Sequence, residues 1–228
     1  MQTIVKRLLH FEPIQYIFGH TFWCGLDLKV TPATLIPRPE TAELVETIIN
    51  YPLPITNCRV LDIGTGSGCI AIALKKAHPE WQVTGIDISA EAIEVAKENA
   101  VRNQVEVEFE VVDIFDFNEQ NLKSKISNLK YDIVVSNPPY ICEKEKATMN
   151  QNVLDFEPAQ ALFVPDDDPL KFYRKIAELR LGRHLFFEIN EAYPKELVAL
   201  LENIGYTDIQ VKNDIYGKPR IIQARSTR

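Results

Sequence analysis

The residues best equipped for chemistry are Asn137-Pro138-Pro139-Tyr140, directly after the apolar run Tyr131-Asp132-Ile133-Val134-Val135-Ser136. Two successive prolines fix two φ angles, remove two backbone donors and push Asn137 out of the helical region. What remains is a stiff corner bearing a side-chain amide, free carbonyls and an aromatic ring. Such a corner suits a planar nitrogen that is a poor nucleophile because its lone pair is delocalised into a neighbouring π system. The Asn137 side-chain oxygen and the Pro138 carbonyl can accept its two N–H groups, which turns the lone pair toward an electrophile held opposite. Tyr140 is placed to stack on the planar acceptor. Positioning and electrostatics, more than a strong base, would then drive the transfer.

A second group lies upstream. Val60-Leu61-Asp62-Ile63 runs into Gly64-Thr65-Gly66-Ser67-Gly68-Cys69, with glycines at alternate positions between an apolar strand and a helix. Glycine allows a sharp turn and lets a ligand approach without meeting a Cβ. A Walker loop requires Lys and then Ser or Thr at the helix start, and Cys69-Ile70 supplies neither. A dinucleotide loop reads G-x-G-x-x-G, whereas the third glycine here arrives one residue early. Asp87, closing Thr84-Gly85-Ile86-Asp87-Ile88, stands where a carboxylate accepts hydrogen bonds from ribose hydroxyls. Singly, the glycines read as a tight turn and Asp87 as a helix cap; on consecutive strands they point to a nucleoside site. Asp113 and Ile114 follow a third strand, where a carboxylate can meet an adenine amino group and an apolar side chain can cover the ring.

The elements that must position these groups follow from periodicity. Residues 22–30 predict a β-hairpin turning at Gly25, and residues 31–40, with three prolines, an ordered irregular connection. A helix starts at Pro39, a favoured first-turn residue. Strands are expected over residues 58–63, 82–88, 105–112, 131–136 and 184–189, and helices over 69–76, 90–102, 170–181 and 194–204. Ser89 should cap the second of these helices, and Gly182 and Gly205 should end the last two. Two final strands, 206–211 and 220–224, meet at a turn at Gly217. Strands alternating with helices define an α/β doubly wound, mainly parallel sheet with a C-terminal antiparallel strand. Right-handed crossovers bring the ends of the first, second and fourth strands to one edge.

The chain has 228 residues, enough for one large domain, and a formal net charge of −7. That balance argues against nucleic acid as the main partner. The start of the chain lacks the apolar core of a secretory signal, and no stretch reaches membrane-spanning length. Cys24, Cys58, Cys69 and Cys142 are scattered without a CxxC pair, which suits reduced thiols in a cytoplasmic protein and gives no basis for a metal site.

Taken together the motifs resemble the PrmC/HemK family of class I methyltransferases. The resemblance extends to Glu12-Pro13-Ile14-Gln15-Tyr16-Ile17-Phe18-Gly19, Leu35-Ile36-Pro37-Arg38-Pro39-Glu40-Thr41, Phe156-Glu157-Pro158-Ala159-Gln160-Ala161-Leu162 and Asp214-Ile215-Tyr216-Gly217-Lys218-Pro219-Arg220. It implies a Rossmann-like fold and methyl transfer from S-adenosyl-L-methionine to the glutamine amide nitrogen in the Gly-Gly-Gln motif of peptide chain release factors. By matching position it implies that Gly64, Thr65, Gly66, Ser67, Gly68, Asp87, Ile114 and Asn137 bind the cofactor. Asn137, Pro138, Pro139 and Tyr140 are the implied catalytic corner, and Arg38 and Glu40 brace the rim or form a structural ion pair. Glu188 reads as a supporting acceptor or a solvated strand end. The family usually has a helical domain ahead of its Glu-Pro-Ile segment, where eleven residues stand here. The expected division is thus residues 1–38 as a short N-terminal segment with the hairpin, and 39–228 as the catalytic domain. Ala42 and Asn190 depart from a common glutamate and a frequent glycine. Three other readings remain open: transfer to an exocyclic amino group of a nucleic-acid base, a nucleotide-dependent oxidoreductase, and a non-catalytic cofactor-binding module.

Overall fold

Apolar residues on both faces of the central strands build the molecule. The computed structural model describes residues 2–53, 56–116 and 131–227. The chain opens with α1 (Gln2–Leu9), α2 (Ile14–Phe18) and the hairpin β1 (His20–Trp23) and β2 (Leu26–Lys29), then enters α3 (Pro39–Ile49). The alternation follows as β3 (Arg59–Ile63), α4 (Cys69–Ala77), β4 (Gln82–Asp87), α5 (Ala90–Arg102), β5 (Glu108–Val111) and β6 (Tyr131–Ser136). Beyond the corner come β7 (Ile141–Cys142), α6 (Gln151–Phe156), β8 (Phe163–Val164), α7 (Lys171–Leu179), β9 (Gly182–Glu188), α8 (Pro194–Ile204), β10 (Tyr206–Asn213) and β11 (Pro219–Ser226).

Seven strands form one sheet in the order β10-β11-β9-β6-β3-β4-β5. The pairs β3 with β4, β3 with β6, β4 with β5 and β6 with β9 are parallel, while β11 is antiparallel to both β9 and β10. The expected doubly wound sheet with an antiparallel end is therefore present. Successive strand residues separate onto its two faces. Val60, Ile133, Phe186 and Ile221 pack with α3, α4 and the hairpin. Leu61, Val134, Phe187 and Ile222 pack with α7 and α8 on the other side. Each such Leu, Ile or Phe stabilises the fold by about 1.5–3 kcal/mol when fully buried. After β5 the chain returns to the far side of β3, so the switch point lies between β3 and β6, where open sheets form ligand crevices.

Two local differences from expectation have clear causes. Helix α7 stops at Leu179 because Arg180 adopts left-handed backbone (φ 48) and the N–H of Arg180 donates to Ala177 O. Gly182 instead opens β9, where a Cβ would lie 2.6 Å from Val134 Cγ2, so glycine permits the close approach of β9 to β6. The third strand is shorter than expected because Asn103 closes α5 and the N–H of Val105 returns to Ala100 O. No helix among the described residues is long and apolar enough to cross a membrane.

Candidate active site

Strand ends converge first. Ser136 Oγ donates to Ile63 O at 2.6 Å, so the end of β6 lies beside the end of β3. The glycine loop then turns back over the sheet: the N–H groups of Gly64 and Thr65 both donate to Ile86 O at 2.9 Å. The N–H of Gly66 donates to Asp87 Oδ2 and that of Ser89 to Asp87 Oδ1, each at 2.9 Å. Asp87 thus joins the loop of β3 to the start of α5. Burial pushes its carboxyl up, and the N–H groups of Ser89 and Gly66 oppose that shift.

Beneath the loop, Asp62 is wholly buried. Its Oδ2 accepts from Thr65 Oγ1 at 2.7 Å and from the Ala71 N–H at 3.3 Å, while Oδ1 has no partner among the described residues. Desolvation pushes this carboxyl up to about 7. Asn99 clamps the other side of the loop: its Nδ2 donates to Ser67 O and Lys29 O, and its Oδ1 accepts the Lys29 N–H. One buried side chain of α5 therefore bolts the hairpin to the glycine loop, a role that no local pattern announced.

A cavity of about 310 Å3 lies at the switch point. Gly64, Thr65, Gly66, Ser67, Asp87, Ile114, Asn137, Pro138 and Pro139 line it, so most of the residues expected from sequence come together. Gly68 and Tyr140 do not line it. Gly68 (φ +80) is packed instead against Ala96, Ile72 and Phe109, which makes it a helix-start position. Gly64 and Gly66 also have positive φ, but a Cβ on either would enter open space. At one end Ile88, Asp113 and Phe115 join Ile114 on the wall, with Phe172 and Lys171 from α7. Phe115 and Phe172 meet edge to face at 5.2 Å, and Lys171 Nζ lies 4.8 Å from the Phe115 ring centre.

The acceptor corner is tied down from behind. Asn137 Nδ2 donates to Thr41 Oγ1 at 3.2 Å, Thr41 Oγ1 donates to Glu188 Oε2 at 2.7 Å, and Tyr140 Oη donates to Glu188 Oε1 at 3.0 Å. Glu188 is 1% exposed, so it is a buried acceptor and not a solvated strand end. Desolvation raises its carboxyl above the ordinary range, against the hydrogen bonds of Thr41 and Tyr140 and the charge of Arg220. Tyr140 spends its hydroxyl on this anchor while its ring packs against the core of the α7 and α8 face. Asn190 supports the same corner: its Nδ2 donates to Tyr140 O and Glu145 Oε1, each at 3.0 Å, contacts unavailable to glycine.

The rim comes from two distant segments. Arg38 Nη2 pairs with the buried Glu157 at 2.5 Å, and Glu157 Oε2 accepts the Ile36 N–H. This staples residues 33–38 to the excursion between β7 and β8, and Gln160 and Ala161 of that excursion face the cavity. Trp23 Nε1 donates to Arg38 O, bracing the same segment from the hairpin. Glu40 forms no ion pair among the described residues, whereas Arg38 pairs with Glu157. Among the described residues no cluster of three His, Cys, Asp or Glu side chains is arranged to hold a metal ion.

A family model described as "Methyltransferase domain" matches residues 55–179. The N-terminal domain of human METTL16 in complex with SAH superposes with a TM-score of 0.62 at 19% identity, covering 90% of this chain and 77% of that one. The human methyltransferase 10 domain containing protein gives 0.61 at 20% identity, covering 90% of each chain. The fold is that of a class I methyltransferase. The release factor glutamine methyltransferase of Bacteroides thetaiotaomicron is 48% identical over 98% of this chain and 80% of its own length. That of Flavobacterium psychrophilum is 46% identical over 97% and 78%. The chain belongs to the release factor glutamine methyltransferase family, the group also called PrmC/HemK.

The cavity fits the cofactor of that family, S-adenosyl-L-methionine. Side-chain-free backbone at Gly64 and Gly66 leaves space that a Cβ would fill, a carboxylate stands at the end of β4, and an apolar slot at Ile88, Ile114 and Phe115 suits an adenine ring.

Proposed function

We propose that this chain transfers a methyl group from S-adenosyl-L-methionine to the side-chain amide nitrogen of the glutamine in the Gly-Gly-Gln motif of peptide chain release factors. The observation that carries the reading is that Asn137 and Pro138 line the same cavity as the glycine cradle and Asp87. When bound, S-adenosylmethionine supplies an electrophilic methyl group on a sulfonium.

In this reading Gly64, Thr65, Gly66 and Ser67 give backbone contact to the cofactor, Asp87 accepts from its ribose, and Ile114 covers its adenine; Gly68 sets the helix start beneath them. Asn137 Oδ1 and Pro138 O accept the two N–H groups of the incoming amide and hold its plane edge-on, so the π-face of nitrogen meets the methyl group. Pro139 keeps the corner stiff, and Tyr140 anchors it through Glu188. The amide nitrogen loses one proton as it gains the methyl group. An N-alkylated amide that still carries both N–H groups is a strong acid, so water or a carbonyl acceptor suffices and no basic side chain is required at the corner.

Residues 39–228 act as the catalytic unit, with residues 1–38 as an N-terminal segment bolted to it by Asn99, which holds Lys29, and by the Arg38–Glu157 pair. The net charge of −7 supports a protein partner over direct nucleic-acid contact, and release factors place the reaction in the cytoplasm. The test is incubation with labelled S-adenosylmethionine and an intact release factor, followed by peptide mass spectrometry. Asn137→Ala should lower kcat by about 100-fold or more, as loss of one transition-state hydrogen bond does elsewhere. Undiminished glutamine methylation by that variant would sink the mechanism, and transfer to nucleic acid but not to a release factor would sink the substrate assignment.

A further inference from the structure

Resting on that reading, we infer that Thr41 and Glu188 are positioning residues that set the polarity of the acceptor corner by fixing which end of the Asn137 amide faces the cavity. An asparagine amide has nearly the same shape in both orientations but opposite chemistry: one end accepts two hydrogen bonds and the other donates two. Only the accepting end can bind an N–H of the substrate amide.

The choice is made at the cavity wall, where Thr41 stands beside Asn137. Both carboxylate oxygens of Glu188 act as acceptors here, taking the single hydroxyl proton of Thr41 at 2.7 Å and that of Tyr140 at 3.0 Å. With its proton committed, Thr41 Oγ1 offers lone pairs toward Asn137 and is met by Nδ2 at 3.2 Å. The opposite end of the amide, Oδ1, is then turned away from Thr41. Thr41 is 2% exposed and sits on the buried stripe of α3 with Leu44, Val45 and Ile48, so little of its surface is open to water. The relay joins α3, the end of β6 and the end of β9, and each donor in it points one way.

A change of polarity at Glu188 should therefore propagate. In Glu188→Gln the new amide can donate to Thr41 Oγ1, which frees the Thr41 proton to meet Asn137 Oδ1 and turns the Asn137 NH2 toward the substrate, donor against donor. Thr41→Val removes the relay altogether, whereas Thr41→Ser keeps its hydroxyl. The experiment compares steady-state methylation of an intact release factor by the wild type and these three variants. It also measures S-adenosylhomocysteine affinity by calorimetry and the melting temperature of each.

The expected result is a kcat lowered about 100-fold by Thr41→Val and by Glu188→Gln, with S-adenosylhomocysteine affinity within about threefold of wild type and Thr41→Ser retaining most of the activity. Wild-type kcat in Thr41→Val or in Glu188→Gln overturns the inference. So does a loss that Thr41→Ser shares fully. If Thr41→Val fails to fold, Thr41→Ser against Glu188→Gln still decides. Absence of transfer by the wild type itself would instead count against the glutamine reading, which keeps the two failures apart.

Discussion

Gly66 and Gly68 have the same kind of backbone, with φ of 55° and 80°, yet should fail in opposite ways when replaced by alanine. In Gly68→Ala the new Cβ would lie 3.0 Å from Ala96 Cβ, 3.1 Å from Ile72 Cδ1 and 3.2 Å from Phe109 Cζ. Left-handed backbone costs a non-glycine residue about 1–2 kcal/mol, and overpacking adds about 1–3 kcal/mol. For a chain of this length that sum lowers Tm by roughly 10 °C. Gly66→Ala incurs only the backbone cost, because nothing lies within 4 Å of its Cβ, and Tm should fall by roughly 5 °C. Its methyl group instead enters the cavity proposed to hold the cofactor. A clash of about 1–3 kcal/mol there weakens binding by about 5- to 150-fold. Thermal melts of the free proteins and calorimetric titration with S-adenosylhomocysteine read the two effects separately. Wild-type affinity in Gly66→Ala would refute the cradle, and a Gly68→Ala variant that melts no earlier than Gly66→Ala would refute the packing role of Gly68.

Two further outcomes are expected. Asp62, raised by burial from 3.8 to about 7, is held in its neutral form by the fold, so its stabilising contribution is full below the ordinary carboxylate range and is lost as pH rises through about 7. The unfolding free energy of the free wild type should fall between about pH 4 and pH 7, by at most about 4 kcal/mol at 1.36 kcal/mol per unit, and Tm should fall with it. Asp62→Asn, which keeps an acceptor for Thr65 and Ala71 but cannot ionise, should flatten that fall; parallel pH profiles for the two proteins would contradict the argument. At the rim, Arg38→Ala leaves the buried Glu157 charge without its partner and should cost about 1–3 kcal/mol, the lower end reflecting the partial exposure of Arg38. Glu157→Gln removes the charge as well and should cost less, so equal destabilisation in urea titrations would show that the pair contributes no electrostatic brace.

Where local patterning and tertiary packing agree, the sequence was sufficient. Strand β6 falls on the expected residues because both of its faces are buried and the prolines stop it abruptly. Helix α5 begins where Ser89 Oγ accepts the Ala92 N–H, and α3 begins with Pro39 at its first turn. The excursion from Ile141 to Val164 was not legible: β7 and β8 are two residues each and exist only because they pair in parallel with one another. Nor were α1 and α2 foreseen, since eight and five residues are too few for a periodic pattern to stand out. Thr41 did carry a signal. It is the polar member of an otherwise apolar stripe with Leu44, Val45 and Ile48, and a buried hydroxyl there requires a partner. Its partner, Glu188, lies 147 residues away, and no periodicity spans that distance.

The acceptor corner alone cannot distinguish a glutamine amide from an amino group on a base, because both present a planar nitrogen with two N–H groups to the same pair of acceptors. Selectivity must therefore reside in what surrounds the corner. Here that surround is the rim built from residues 33–38 and from Gln160 and Ala161, held together by Arg38 and Glu157. The ion pair spans 119 residues of sequence, and the hairpin reinforces it through the hydrogen bond from Trp23 to the Arg38 carbonyl. A rim assembled from segments outside the strand ends can vary without disturbing the cradle or the corner. The same fold can thus serve different acceptors while its methyl-transfer chemistry stays constant. On the proposed reading the division of labour is physical: the strand ends carry the reaction, the Thr41 and Glu188 relay gives the corner its polarity, and the stapled rim frames the approach to it.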